Sequence, residues 1–165
     1  MTSMELHFAV SQFLYHKAAL CDQYDWENYL DLYDEDSEYH IPQWISEHEY
    51  VQDPNQGLSY IYYEDRAGLE DRVFRIGTGK AASATPLPRT IHSINNIQVK
   101  ELDDGLLEVK ANWNTFYNRQ GLEGYFYGLV TYILRRTDNG SFKIRRQHTL
   151  LLNDKIDSLL DFYHV

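Results

Sequence analysis

An α+β fold is predicted for this chain by three features of its sequence. Apolar residues recur at spacings of three and four in the first half, strict alternation takes over after Thr90, and turn dipeptides cut the alternating half into long strands. Helices that come first, followed by a meander of strands, cover one face of the sheet. Long strands also twist strongly. The expected architecture is a cone-like half-barrel, with N-terminal helices packed on a long, curved, mainly antiparallel sheet.

Leu6, Val10, Phe13, Leu14, Ala18 and Cys21 place one apolar face on a first helix. Asp25 is a suitable cap for a short second helix through Tyr33, with Tyr29, Leu32 and Tyr33 toward the core and Asp22, Glu27 and Asp31 outward. Residues 37–41 alternate and stop at Pro42, which has no backbone donor, so they read as a short edge strand. Residues 43–57 mix turn chemistry with Trp44 and Tyr50 and read as an ordered loop. Helical spacing returns over 66–76 through Leu69, Val73 and Ile76, with Asp71 and Arg75 spaced for an i,i+4 ion pair and Gly77 and Gly79 as stop signals. Small residues and two prolines suggest a crossing loop over 81–88.

Four antiparallel strands are expected at 90–102, 106–118, 124–136 and 142–152. Asp104-Gly105 and Asn139-Gly140 predict tight turns in which both residues take positive φ, and Gln120-Gly121 supplies a third turn. Segment 124–136 is apolar on both faces, Tyr125, Tyr127, Leu129 and Ile133 against Phe126, Val130, Tyr132 and Leu134. A strand of that kind is covered on both sides, and a partner surface is one way to cover the second.

The 165 residues suit one domain, 1–165, without internal repeats. A net charge of −10 argues against nucleic acid and anionic membranes, and the basic pairs Arg135-Arg136 and Arg145-Arg146 fall inside strands. No stretch approaches the roughly 18 to 20 apolar residues of a membrane span, and the first residues do not read as a secretory signal, so a cytoplasmic location is expected. Cys21, the only cysteine, closes an apolar helical spacing and reads as a core residue. One thiol cannot form an internal disulfide or supply a cysteine-based metal site.

The seven histidines show no i,i+4 pair and no clustering typical of metal ligands. His92 and His148 read as hydrogen-bonded core or interface residues, and His7 and His16 as surface residues. There is no Gly-x-Ser-x-Gly elbow, and Gly77-Thr-Gly79-Lys80 follows a helix instead of opening one, so it reads as a helix stop. The acidic run Asp31, Asp34, Glu35, Asp36 and Glu38 lacks the glycine and distal glutamate of a calcium loop and reads as a solvated helix end. A sharper alternative places Asp34, Tyr39 and His92 inside the cone, where apolar walls shift pKa values. The chain would then be a free-standing isomerase or dehydratase using His92 and Asp34.

Three segments, Asp71-Arg-Val-Phe-Arg-Ile76, Pro88-Arg-Thr-Ile-His-Ser-Ile-Asn-Asn96 and the sixteen residues from Leu150 to Val165, resemble the small (beta) subunit of aromatic-ring-hydroxylating dioxygenases. The run from Ile61 to Arg72 and the ending Tyr163-His-Val165 are similar to the benzoate and anthranilate branch. Gln12-Phe-Leu-Tyr15, Thr78-Gly-Lys80 and Asp161-Phe-Tyr-His-Val165 bring it nearer the anthranilate members. Gly77 departs from the family pattern, where a bulkier, often basic residue is expected.

The resemblance implies a nuclear-transport-factor-2-like (cystatin-like) cone and a non-catalytic role in a hexamer of three large and three small subunits. It also implies small-subunit trimer contacts and, in the large chain, a Rieske 2Fe-2S cluster and a mononuclear non-haem iron. Electrons would come from NADH through a flavin-containing reductase, and the complex would cis-dihydroxylate an aromatic acid, anthranilate first among the candidates. No catalytic, cofactor or metal residue is then expected in this chain. Aromatic and arginine residues are common interface anchors, which makes Trp44, Tyr62, Tyr63, Arg75 and Arg89 the candidate subunit contacts.

Overall fold

The computed structural model describes residues 1–79, 85–156 and 159–165. Helix α1 spans Ser3–Asp22, α2 Trp26–Asp31 and α3 Ala67–Thr78; the strands are β1 Tyr33–Pro42, β2 Ser59–Tyr63, β3 Arg89–Glu101, β4 Leu107–Arg119, β5 Leu122–Arg136 and β6 Phe142–Leu151. They form a six-stranded sheet in the order β2-β1-β6-β5-β4-β3. All neighbours are antiparallel except β1 and β6.

Thr2 starts α1 through a reciprocal cap, its hydroxyl accepting from the Glu5 amide while the Glu5 carboxylate accepts from the Thr2 amide. The apolar stripe then buries Leu6, Val10, Phe13, Leu14, Leu20 and Cys21 against the concave face of the sheet. From the sheet, Leu107, Val109, Ala111, Trp113, Phe126, Val130, Tyr132 and Leu134 point into the same core. Residues from the C-terminal segment join this core: Phe162, Tyr163, His164 and Val165 are all buried, three of them in a 3₁₀ turn capped by Asp161.

Several local features differ from the sequence reading. Asp25 caps α2, but the helix stops at Asp31, and Tyr33 already belongs to β1. β1 is not an edge strand, because β2, unrecognised in the sequence, pairs on its outer side while β6 pairs on the other. Of the acidic run, Asp31 does end a helix, whereas Asp34, Glu35, Asp36 and Glu38 lie on β1; Asp34 lies 2.7 Å from Arg135, Asp36 3.1 Å from Arg145 and Glu38 2.9 Å from Arg146. The helical ion pair of α3 is Arg66–Glu70 at 2.7 Å, and among the described residues Asp71 and Arg75 form none. Gly77 lies inside α3, and Gly79 ends the helix at φ 68°. Of the loop expected at 81–88, residues 81–84 lie outside the described residues, and residues 85–88 are non-regular chain leading into β3.

The turns also redistribute. Only Gln120-Gly121 has both residues at positive φ, 53° and 81°; at 104–105 and 139–140 only the glycine does. Register shifts occur in four of the strand pairs, two of them in the long meander. Asn96, at φ 53°, is the extra residue where β3 changes register against β4, and β6 changes register against β5 between Ile144 and Arg146. The second bulge changes which residues of β6 face inward, from Phe142 and Ile144 to Gln147, Thr149 and Leu151.

Candidate functional site

Two regions have the chemistry to serve a function: the interior of the cone and the outward face of the sheet. In the interior, Asp22 at the end of α1 meets His92 on β3, with Oδ1 2.5 Å from Nδ1 and Oδ2 accepting from the His92 amide at 3.1 Å. Thr90 also donates to the same carboxylate at 2.8 Å. Burial opposes a charged His92, but the neighbouring Cys21 and Asp22 outweigh it and hold the imidazole up to about 9. Burial likewise opposes the Asp22 carboxylate, and its bonds to His92 and Thr90 overcome that and keep it below the usual range. Asp22, assigned outward in the sequence, is thus the carboxylate that His92 uses.

The His92–Asp34 arrangement does not form. Asp34 is held at the far end of β1 by Arg135 and Arg145, and it is absent from the wall of the cavity that His92 lines. Tyr39 is buried, and its hydroxyl has no hydrogen-bond partner among the described residues. Among the described residues no three His, Cys, Asp or Glu side chains group as a metal site.

The outward face is divided. Over β1 and β6 the 43–57 loop folds back, pinned by the Trp44 indole, which donates to the Leu151 carbonyl at 2.7 Å. Beneath it runs a continuous aromatic row: Trp44 on Tyr50 (5.6 Å between centroids), Tyr50 on His148 (5.7 Å), His148 on His40 (5.3 Å) and His40 on Tyr62 (5.3 Å). Burial lowers the pKa of both histidines, that of His148 to about 4 with help from the Arg146 charge. Among the described residues no such loop lies over Ile91, Phe116 and Tyr125 of β3, β4 and β5. Ile91, Phe116 and Tyr125 sit opposite one another on successive strands, 65%, 57% and 57% exposed. Tyr127, Leu129 and Leu152 extend the patch.

Of the five candidate contacts, Trp44 and Tyr62 stand at the two ends of the aromatic row, and Tyr63 lies on the opposite side of β2 against the Tyr39 ring, 6.0 Å away. Arg75 is exposed in the last turn of α3, and Arg89 is exposed at the start of β3, reaching Asn118 at 3.2 Å. These positions do not form one cluster. The exposed row was half legible: Tyr125, Tyr127 and Leu129 stood out by alternation, whereas Ile91 and Phe116 required the register across three strands.

A family model described as the ring hydroxylating beta subunit matches residues 16–158. The anthranilate 1,2-dioxygenase small subunit of Acinetobacter baylyi is 78% identical over 163 residues, 99% of each chain. The crystal structure of the beta subunit of benzoate 1,2-dioxygenase from Burkholderia mallei superposes with a TM-score of 0.77 at 32% identity, covering 94% of this chain and 95% of that one. A structure of naphthalene 1,2-dioxygenase with indole bound has a TM-score of 0.80 over 99% of this chain and 87% of that one; at 18% identity the likeness is one of fold. The helices on a six-stranded curved sheet are the nuclear-transport-factor-2-like cone that the sequence predicted. On the family match and the near-complete alignment with a small-subunit relative, the chain belongs to the beta, or small, subunits of the aromatic-ring-hydroxylating dioxygenases.

Proposed function

We propose that this one-domain chain is the non-catalytic subunit of a cytoplasmic dioxygenase that converts anthranilate to catechol. The observation that carries the substrate is the 78% identity, across 99% of both chains, to an anthranilate 1,2-dioxygenase small subunit. The oxidation takes place in the large chain, on a mononuclear iron fed by a Rieske cluster, with electrons from NADH through a flavin reductase. This chain's single cysteine cannot supply the two thiolates of such a cluster.

The small chain contributes surface. The uncovered row Ile91, Phe116 and Tyr125 is apolar, rigidly held across three strands, and suited to burial in an assembly of three large and three small subunits. Arg75 and Arg89 are exposed and act as contacts at its margins, while Trp44, Tyr62 and Tyr63 stabilise the chain that presents them. A free-standing enzyme built on His92 and Asp34 is disfavoured because the two side chains have different partners.

The test is to tag the chain, express it in cells growing on anthranilate, and measure the mass and iron content of what co-purifies. A mixed hexamer with an iron-bearing larger chain that converts anthranilate is expected. A lone monomer or dimer would overturn the assembly, and a hexamer active on benzoate but not anthranilate would overturn the substrate.

A further inference from the structure

We propose that the interior of the cone binds one small monovalent anion of halide size against the ammonium of Lys17. Lys17 is only 6% exposed, although it is a lysine on a helix in the core. Its Nζ lies over the rings of Tyr29 and Tyr132, at 5.4 and 5.6 Å from their centroids, and the negative ring faces favour the protonated amine. Among the described residues it forms no ion pair with any carboxylate. A buried cation without a counter-charge is among the most costly arrangements in a protein interior.

Beside this ammonium is a cavity of about 30 Å³, with Lys17, Thr115, Thr149, Tyr132, His92 and Cys21 among its walls. That volume accommodates a guest of one or a few heavy atoms. Two hydroxyls in its wall have a proton to donate. Thr115 Oγ1 is wholly buried and has no hydrogen-bond partner among the described residues. Thr149 Oγ1 accepts from the Gln147 amide at 3.2 Å, which leaves its own proton to donate, and the Gln147 carbonyl is taken by the Tyr33 hydroxyl at 2.6 Å. Asp22, the carboxylate behind this wall, is spent on His92 and Thr90. One net positive charge, surrounding hydroxyl donors and an atom-sized space together fit an anion. A water would satisfy the hydroxyls but leave the charge uncompensated.

The test is crystallographic and thermal. Crystals of the chain with its large subunit, grown in sodium bromide, are measured at the bromine absorption edge. One anomalous peak is expected inside the cone, in contact with Lys17 Nζ and Thr115 Oγ1. In solution, replacing gluconate by bromide at constant ionic strength should raise the melting temperature of the full chain saturably. Thr115→Val, nearly isosteric, removes one donor and should raise the half-saturating bromide concentration about tenfold, the loss of one hydrogen bond to a charged group. Lys17→Met should abolish the dependence, and if that variant does not fold, Thr115→Val decides. No bromine peak in the cavity, a melting temperature indifferent to halide, or a Thr115→Val variant that titrates like the parent would each overturn the site in favour of water.

Discussion

Nδ1 of His92 lies 2.5 Å from Oδ1 of Asp22, joining the last turn of the first helix to the third strand. His92 titrates at about 9 in the fold against 6.5 for an ordinary histidine, so its contribution is complete below 6.5 and fades as pH rises through 9. Asp22 has a lowered pKa, so its contribution is present above 3.8 and is lost as the pH falls through its folded value. The pair is therefore strongest in mildly acidic to neutral solution. His92→Gln is expected to cost about 2 kcal/mol in urea unfolding at pH 6.5, with a clearly smaller deficit at pH 9.5. An equal deficit at both values would exclude the ion pair as its cause.

His164 works in the opposite direction. Burial holds it down to about 4, and its Nδ1 accepts from the Asp161 amide at 2.9 Å, which requires the unprotonated nitrogen. A histidine kept neutral in the fold stabilises it above 6.5, and that contribution is lost as pH falls toward 4. Unfolding between pH 6 and pH 4.5 should thus take up about one proton fewer in His164→Gln than in the parent. Calorimetry in buffers of different ionisation heat measures that difference.

Arg72 on α3 binds the carboxylate of Asp161 through both Nε and Nη2, and Asp161 is only 3% exposed. Arg72→Met leaves that carboxylate buried without its counter-ion and should cost about 3 kcal/mol. The double variant Arg72→Met with Asp161→Asn should recover part of the loss. A double variant no better than the sum of the two single changes would show that the residues do not act as a pair.

Gly128 on β5 lies directly against the backbone of β6. A Cβ there would stand 1.8 Å from the Leu150 carbonyl oxygen and 3.2 Å from the Trp113 indole nitrogen. Backbone cannot retreat as a flexible side chain can, so Gly128→Ala is expected to lose about 2–3 kcal/mol or to fail to accumulate as folded protein. Circular dichroism melting of the variant beside the parent decides this.

The outward row separates folding from assembly. Phe116→Asp together with Tyr125→Asp changes only exposed positions and should leave chain stability within about 1 kcal/mol of the parent. Co-purification of the large subunit should fall at least tenfold. Retention of the complex would place the contacts elsewhere, and Arg75→Glu and Arg89→Glu would then be the next variants to measure.

The alternation through Leu107, Val109, Ala111, Trp113 and Thr115 was visible in the sequence because one face of β4 is buried and the other is not. Helix α1 was visible for the same reason at the helical period. β1 and β2 were harder. Residues 37–41 were legible by alternation, but Tyr39, His40, Ile41 and Pro42 are buried in succession and residues 33–36 continue no period, so neither the start of β1 at Tyr33 nor its inner place in the sheet was. β2 is only five residues long and has no stronger pattern than Tyr-Ile-Tyr-Tyr. The His92–Asp22 contact was illegible because it joins residues seventy apart whose elements meet only through packing. The acidic run pointed to solvent, but its arginine partners lie more than a hundred residues later and only the β1–β6 pairing brings them together.

The parallel pairing of β1 with β6 also sets an order of events during synthesis. His40 lies opposite His148, so the first strand of the chain has no neighbour on its inner side until the last strand exists. On the ribosome the β1–β2 hairpin must wait, with one strand edge unpaired, until nearly the whole polypeptide has emerged. The sheet is therefore expected to be completed only after β6 has been made. A truncation or stalled chain that ends before β6 is expected to be a substrate for chaperones and proteases, not a partly functional subunit.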